Sequence, residues 1–334
     1  MDPQIAQRYT DDMLQALMQR FSIQPNEIKL LDGFESFIYE FYRPGDGEFI
    51  LRVSHSGRRS PEMIAGEVDW INYLARGGAN VSRAILSQQG NLVEGVADGY
   101  GEQFLATAFV KARGGPPWET EWTPAFVQHY GRVLGRIHKL TKAYEPANPA
   151  WRREEWDAPG NVDLERWLPA SETVALQKFQ DLMRHLQSLP KDRESYGLIH
   201  QDAHGGNFFV HEGQITLFDF DDCVYGWFIY DIAMVLFYAA MHKEDMAAYT
   251  ADFMRDFLRG YHQENQLDPV WLRELPHFMK LREIDLYAII HFSFDVESDN
   301  GPWITGFMRG RKERIEAGLP YIEFDWDALA EYLA

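Results

Sequence analysis

The sequence predicts an α+β protein with a strand-rich N-terminal part containing one helix and a mainly helical C-terminal part. Three observations predict it. Strand-like runs crowd the first 110 residues, helical spacing dominates beyond about residue 120, and Lys111-Ala112-Arg113-Gly114-Gly115-Pro116-Pro117 separates the two with a stretch neither element tolerates. The expected division is therefore 1–110 and 111–334.

A first helix is expected after Thr10, with Leu14, Leu17, Met18 and Phe21 at helical spacing and two aspartates beside the positive end of its dipole. Runs at 28–31, 37–42 and 48–53, the last two joined through Arg43-Pro44-Gly45-Asp46-Gly47, read as an antiparallel meander. Ser60, Pro61 and Glu62 start a helix that Gly77-Gly78 stops. Further strand-like runs follow at 81–86 and 103–110. Downstream, helices are expected from Thr123-Pro124 to about Tyr144, from Ser171 to Leu189, and from Asp231 onward. Between Leu198 and Phe220 the chain reads strand, loop, strand, turn, strand.

Acidic residues outnumber basic ones 51 to 32, and a net charge of -19 repels phosphodiester backbones, which argues against a nucleic-acid partner. The longest apolar run, Ile232 to Met241, is too short to span a bilayer, so no membrane is expected as partner. A single cysteine, Cys223, has no partner in the chain for a disulfide, and the N-terminus lacks a basic start and apolar run. Both point to the cytoplasm.

The chemistry concentrates in His200-Gln201-Asp202-Ala203-His204-Gly205-Gly206-Asn207 and in Asp219-Phe220-Asp221-Asp222. The apolar runs 208–210 and 215–218 flank His211-Glu212-Gly213-Gln214, a hairpin turn that pairs Val210 with Ile215 and returns the chain so that Asn207 nears Asp219. Two carboxylates and an amide oxygen then converge, a donor set suited to magnesium and phosphate. Two of them hold metal and the remaining carboxylate orients or deprotonates a hydroxyl. Solvated turn residues are the alternative for each of them taken alone. Separately, the helix from Ser60 carries Ile64, Val68, Ile71 and Ala75 as its apolar stripe, with Glu67 on the edge. A carboxylate there needs a cation, and Arg52 is the basic residue of the run 49–53.

His-x-Asp with Asn five residues beyond the Asp, followed by Asp-Phe-Asp, resembles the catalytic and metal-binding segments of the protein-kinase-like fold. It is most similar to the aminoglycoside phosphotransferase and choline kinase branch, the phosphotransferase enzyme family. Gly131 to His138 resembles that family's first long helix after the hinge, Thr107 to Val110 its hinge, and Tyr230-Asp231-Ile232-Ala233 its Asp-Leu-Ala segment. The resemblance spans about residues 28 to 240.

It implies a two-lobed fold with a nucleotide-binding N-terminal lobe and a catalytic, substrate-binding C-terminal lobe. It also implies ATP or GTP as phosphate donor and Mg2+ as cofactor. Asp202 is then the catalytic aspartate, Asn207 and Asp219 hold the metal, His200 props the loop, and Asp231 is a structural anchor, a role compatible with the plainer one of capping the next helix. Arg52 stands where the family has lysine and, with Glu67, positions phosphate. Gly33-Phe34-Glu35-Ser36 occupies the place of the phosphate-covering loop, with Gly33 and Ser36 as contacts, and Phe109 lies at the nucleotide.

The acceptor implied is a small-molecule hydroxyl compound bearing an amine, of aminoglycoside, choline or homoserine type, with Trp227, Glu283, Asp285, Tyr287, Trp303 and Phe307 as candidate contacts. The expected assembly is a monomer or homodimer. Two alternatives stand beside this reading: a non-catalytic relative that binds nucleotide or a partner protein, and an atypical protein Ser/Thr kinase. The second lacks room for a peptide platform, because Asp222 to Gly226 runs almost directly into Asp231.

Overall fold

The computed structural model describes the chain except Asp32, Phe34, Asp163, Glu297, Asp299 and Ala334. It contains two compact units that interleave along the sequence. The first comprises residues 1–120, 143–153 and 207–221, and the second comprises 121–142, 154–206 and 222–334.

The first unit opens with a short helix α1 (Pro3–Ala6) and α2 (Asp11–Arg20), whose start is capped by the Thr10 hydroxyl accepting from the Met13 N–H at 3.3 Å. Its antiparallel sheet comprises β1 (Ile28–Leu31), β2 (Phe37–Arg43), β3 (Gly47–His55), β4 (Ala84–Ile85), β5 (Glu94–Ala97) and β6 (Gln103–Val110). The order is β1-β2-β3-β6-β4, with β5 also on β6. The fourth strand is shorter than the run at 81–86 suggested, because Val81 and Ser82 pair instead with Leu217. The fifth strand was not anticipated: Glu94-Gly95-Val96-Ala97 lacks an apolar run, and its pairing with β6 is what makes it a strand.

Leu17, Met18 and Phe21 of α2 and its C-cap pack on Phe41, Leu51, Val53, Phe104 and Ala106 of the sheet as one buried cluster. Helix α3 (Pro61–Arg76) starts under the Ser60 cap, which accepts from the Met63 N–H at 3.2 Å, and buries Ile64, Val68 and Ile71.

The hairpin β8 (Phe208–His211) and β9 (Gln214–Leu217) also belongs to the first unit. Its turn residues Glu212 and Gly213 both have positive φ, the requirement of a two-residue turn matched to strand twist. Hydrogen bonds from Ser82 N–H to Leu217 C=O at 2.8 Å and from Val210 N–H to Gly115 C=O at 2.8 Å fix it on both sides.

The second unit is mainly helical. It comprises α4 (Pro124–Thr141), α5 (Leu164–Trp167), α6 (Thr173–Gln187), α7 (Phe228–Ala240), α8 (Met246–His262), α9 (Leu275–Ser293), α10 (Pro302–Met308) and α11 (Arg311–Glu316), with the strand pair β7 (Tyr196–Ile199) and β10 (Val224–Trp227). Helices α4 and α8 pack closely, and a Cβ on Gly131 would lie 2.0 Å from the Phe257 carbonyl oxygen. Only glycine admits that approach. Helix α7 is almost wholly buried, as its apolar run predicts. Among the described residues no helix is long and apolar enough to cross a membrane.

Candidate active site

In the first unit, β3 presents Arg52 and α3 presents Glu67, and the two form a bidentate ion pair at 2.9 and 2.6 Å, both side chains almost entirely buried. This is the pairing the apolar stripe of α3 required. Asp221 is a third member that the sequence did not single out: its carboxylate lies 3.7 Å from Arg52 Nη1 and is also held by Arg58. Burial would raise the Asp221 carboxyl, but Arg52, Arg58 and Arg59 outweigh it and hold it well below the usual carboxylate range. Burial likewise opposes the charge on Arg52, and Glu67 and Asp221 reverse that effect. The adjacent Arg58-Arg59 was the legible signal for this cluster.

A cavity of about 320 Å³ opens above the pair. Leu31, Ile38, Ile50 and Ile71 give it aliphatic walls, Phe109, Phe209 and Phe218 aromatic ones, and Arg52, Glu67 and Asp219 a charged end. Phe109 also lies under the Arg52 guanidinium, 5.2 Å from ring centroid to Cζ. A flat heteroaromatic base with a phosphate tail matches this division into an apolar slot and a charged end that carries the Arg52 guanidinium.

Gly33 follows β1, and a Cβ there would sit 2.4 Å from the Ser36 carbonyl oxygen, so the tight turn excludes a side chain. Ser36 is buried, with its hydroxyl bonded to that of Ser54 at 3.0 Å. Phe34, between them, lies outside the described residues.

The hairpin register extends past its strands. Phe208 pairs with Leu217, and the Phe218 N–H donates to the Asn207 carbonyl at 2.9 Å, so Asn207 and the residue before Asp219 are joined at one end. Asp219 then takes φ of 60°, a costly left-handed conformation for a non-glycine residue of the kind stored at functional sites. Asp219 is exposed, and Glu67 and Asp221 are paired with arginines. An exposed carboxylate and an amide on one hairpin end are hard oxygen donors of the sort magnesium takes alongside phosphate and water.

In the second unit the Asp202 loop is held through its backbone. Buried Asp231 accepts from the N–H groups of His200 at 2.9 Å and Gln201 at 2.6 Å, and Gln201 sits at φ of 68°. Asp231 is itself bonded to His138 Nε2 at 3.1 Å, while His138 Nδ1 meets the Tyr261 hydroxyl at 2.8 Å. Asp231 does not cap the next helix: α7 begins at Phe228, its cap position is Trp227, and Asp231 lies inside the first turn facing the loop. Fully buried His200 accepts at Nδ1 from the Asp202 N–H at 3.3 Å. Tyr130 donates to the Ala203 carbonyl.

The Asp202 carboxylate lies 3.3 Å from His204 Nε2 and 3.6 Å from Arg282 Nη2. Burial would raise its pKa, but His204 and Arg282 hold it well below the usual range, so it is ionised at neutral pH. Arg282 bonds Asp285 at 2.8 Å and the Tyr238 hydroxyl at 3.0 Å. His204 was present in the quoted motif. Nothing in the sequence pointed to Arg282 or Tyr238, which reach the loop from α9 and α7.

The acceptor candidates are placed differently from one another. Trp227 is fully buried, with its indole N–H on the Pro190 carbonyl at 2.8 Å. Glu283 is fully buried and neutralised by Lys280 and Arg311. Tyr287 donates to Glu172 at 3.0 Å. Asp285 belongs with Arg282, and burial raises its carboxyl despite that partner. Trp303 and Phe307 stack on one another in α10.

The arrangement, a sheet-and-helix unit with a strand cation paired to a helix acid and a helical unit carrying His-x-Asp, is that of a protein-kinase-like fold, and together with its relatives it identifies a small-molecule phosphotransferase with an alcohol group as acceptor. The chain belongs to the phosphotransferase enzyme family, whose profile matches residues 27–275. It is 36% identical over 328 residues to amicoumacin kinase of Bacillus subtilis (strain 168), covering 96% of each chain. The solved structure of the amicoumacin kinase hAmiN in complex with AMP-PNP, Ca2+ and Ami superposes with a TM-score of 0.93 at 36% identity, over 98% of this chain and 100% of that one. Hydroxylysine kinase of Bos taurus is 24% identical over 224 residues, 60% of this chain and 59% of that one.

Proposed function

We propose that this enzyme transfers the terminal phosphoryl group of ATP, or GTP, to a hydroxyl of an amine-bearing small molecule, with amicoumacin the first acceptor to test. The observation that carries the reading is the Arg52–Glu67 pair at the charged end of the apolar cavity, with Asp219 on the same cavity. Residues 1–110 serve as the nucleotide-binding lobe and 111–334 as the catalytic and substrate-binding lobe. The nucleotide choice follows from the AMP-PNP bound by hAmiN, and the acceptor class from amicoumacin kinase, from hydroxylysine kinase and from the net charge of -19. Glu283, Tyr287 and Trp227 are already engaged within the protein, so the amine preference does not rest on them.

Asn207 and Asp219 would hold the divalent cation, which when bound supplies charge neutralisation to the phosphate oxygens. Arg52, kept charged and oriented by Glu67 and Asp221, contributes a fixed positive charge at the phosphate end of the cavity. Asp202, ionised at neutral pH, accepts a hydrogen bond from the acceptor hydroxyl and takes its proton as the oxygen bonds to phosphorus and the nucleoside diphosphate departs. Asp231 and His200 keep the loop in the strained conformation that presents Asp202. Nothing covalent is asked of the protein, so positioning and charge supply the acceleration.

The test is acceptor-dependent ADP release with Mg2+ across amicoumacin, aminoglycosides, choline, homoserine and hydroxylysine. Release that is the same with every acceptor and with none would overturn the reading.

A further inference from the structure

A cluster apart from the residues assigned above lies in the second unit, where the last turn of α6 meets the start of α9. His185 Nε2 lies 2.7 Å from Glu274 Oε2, and His277 Nδ1 lies 3.0 Å from the same oxygen. The two imidazole centroids are 4.2 Å apart, and the three ligand atoms all fall within 4.8 Å of one another.

A proton accounts for one of these contacts and not the other. His185 to Glu274 has hydrogen-bond geometry. His277 Nδ1 does not, and among the described residues this atom, out of reach of solvent, has no other hydrogen-bond partner. Two imidazoles and a carboxylate gathered this closely make a two-nitrogen, one-oxygen donor set.

We propose that His185, Glu274 and His277 form a site for a zinc-type divalent cation that clasps α6 to α9. Imidazole and carboxylate donors are what zinc takes, and three protein ligands leave the fourth position to water. Tetrahedral zinc with bonds near 2.0–2.1 Å sets its ligand atoms about 3.3–3.4 Å apart. The present contacts therefore open by roughly half an ångström on loading, and His185 and His277, with side chains 40% and 42% exposed, have room to rotate. Magnesium, which prefers oxygen donors and near-octahedral geometry, does not compete.

The test uses the full chain, stripped of metal and returned to excess Mg2+ without nucleotide, titrated with Zn2+ and separately with Co2+. One tight equivalent of Zn2+ is expected, together with the intense visible bands of four-coordinate Co2+ and a rise in melting temperature. His185→Gln, Glu274→Gln and His277→Gln should each weaken Zn2+ binding at least tenfold while keeping acceptor-dependent ADP release. Should the Glu274 variant unfold, the His185 and His277 variants, at partly exposed positions, decide. Equal Zn2+ uptake by parent and His185→Gln, or no uptake by the parent, overturns the proposal.

Discussion

The charged end of the cavity in the first unit and the Asp202 loop in the second fix their functional groups by opposite means. Arg52 and Glu67 stand on a central strand and a capped helix, and the register of β2, β3 and β6 together with the helical period places their side chains before any polar contact forms. Asp202 stands on a loop whose backbone is held by a side chain, Asp231, against the preference of Gln201 for negative φ. In the first region secondary structure positions a charge. In the second a buried charge positions the backbone. The first should therefore fail through side-chain electrostatics and the second through loss of loop conformation.

The largest expected effect tests the role of the loop itself. Asp202→Asn should lower acceptor-dependent turnover by about 10²–10⁴-fold, with nucleotide affinity measured by titration nearly unchanged. Because the folded carboxyl is held below its unfolded value, its contacts stabilise the protein fully above the unfolded pKa and are lost only as pH falls through the folded one. Asp202 should accordingly stay ionised from pH 5 to 8, and an acid limb of the rate profile in that window that vanishes in Asp202→Asn would contradict its assigned state.

Next comes the ion pair. Glu67→Ala leaves Arg52 buried without its bidentate partner, and a loss of about 3–5 kcal/mol is expected in denaturant unfolding. Arg52→Lys keeps the charge but not the fork, and should raise the KM for nucleotide more than it lowers kcat. Equal stability of Glu67→Ala and the parent would show that the buried Arg52 charge does not depend on Glu67.

Asp231→Asn should cost about 1–3 kcal/mol, since one of the two loop N–H groups or His138 is left without its charged acceptor. The sharper reading is the rate, which should fall together with stability if the backbone is what Asp231 holds. His138 carries a pH signature of its own. Burial lowers its pKa despite Asp231, so its contribution is intact above the unfolded value of about 6.5 and declines as pH falls below it. His138→Gln should flatten the stability profile between pH 6.5 and 5.

The smallest effect is expected for Gln201→Gly, which relieves the positive φ but adds freedom to the unfolded chain, for a net change within about 1 kcal/mol. A large loss of turnover with stability unchanged would show that the rigidity of the loop, rather than its average conformation, serves the reaction.

Local patterning carried much of the architecture. Caps at Thr10, Ser60 and Thr123, the alternation along residues 37–55 and the turn at Glu212-Gly213 each depend on a few neighbouring residues, so they are legible without partners. The Arg52–Glu67 pair was legible for the same reason: a carboxylate on the edge of an apolar stripe has few cations within reach. Strands β5 and β10 were not, since Glu94 to Ala97 and Val224 to Trp227 owe their extended state to β6 and β7.

By itself, then, the sequence determined the fold class, the hairpin that joins Asn207 to the approach of Asp219, and the acids and amide available for chemistry. Tertiary structure alone decided what surrounds them: that Asp221 completes the arginine cluster, that Arg282 and Tyr238 come to the Asp202 loop from helices remote along the chain, and that Glu283 is spent on Lys280 and Arg311. The physical reason is range. Periodicity and turn chemistry act over a few residues, whereas the pKa and availability of a buried charge depend on every charge packed around it, wherever the chain brings them from.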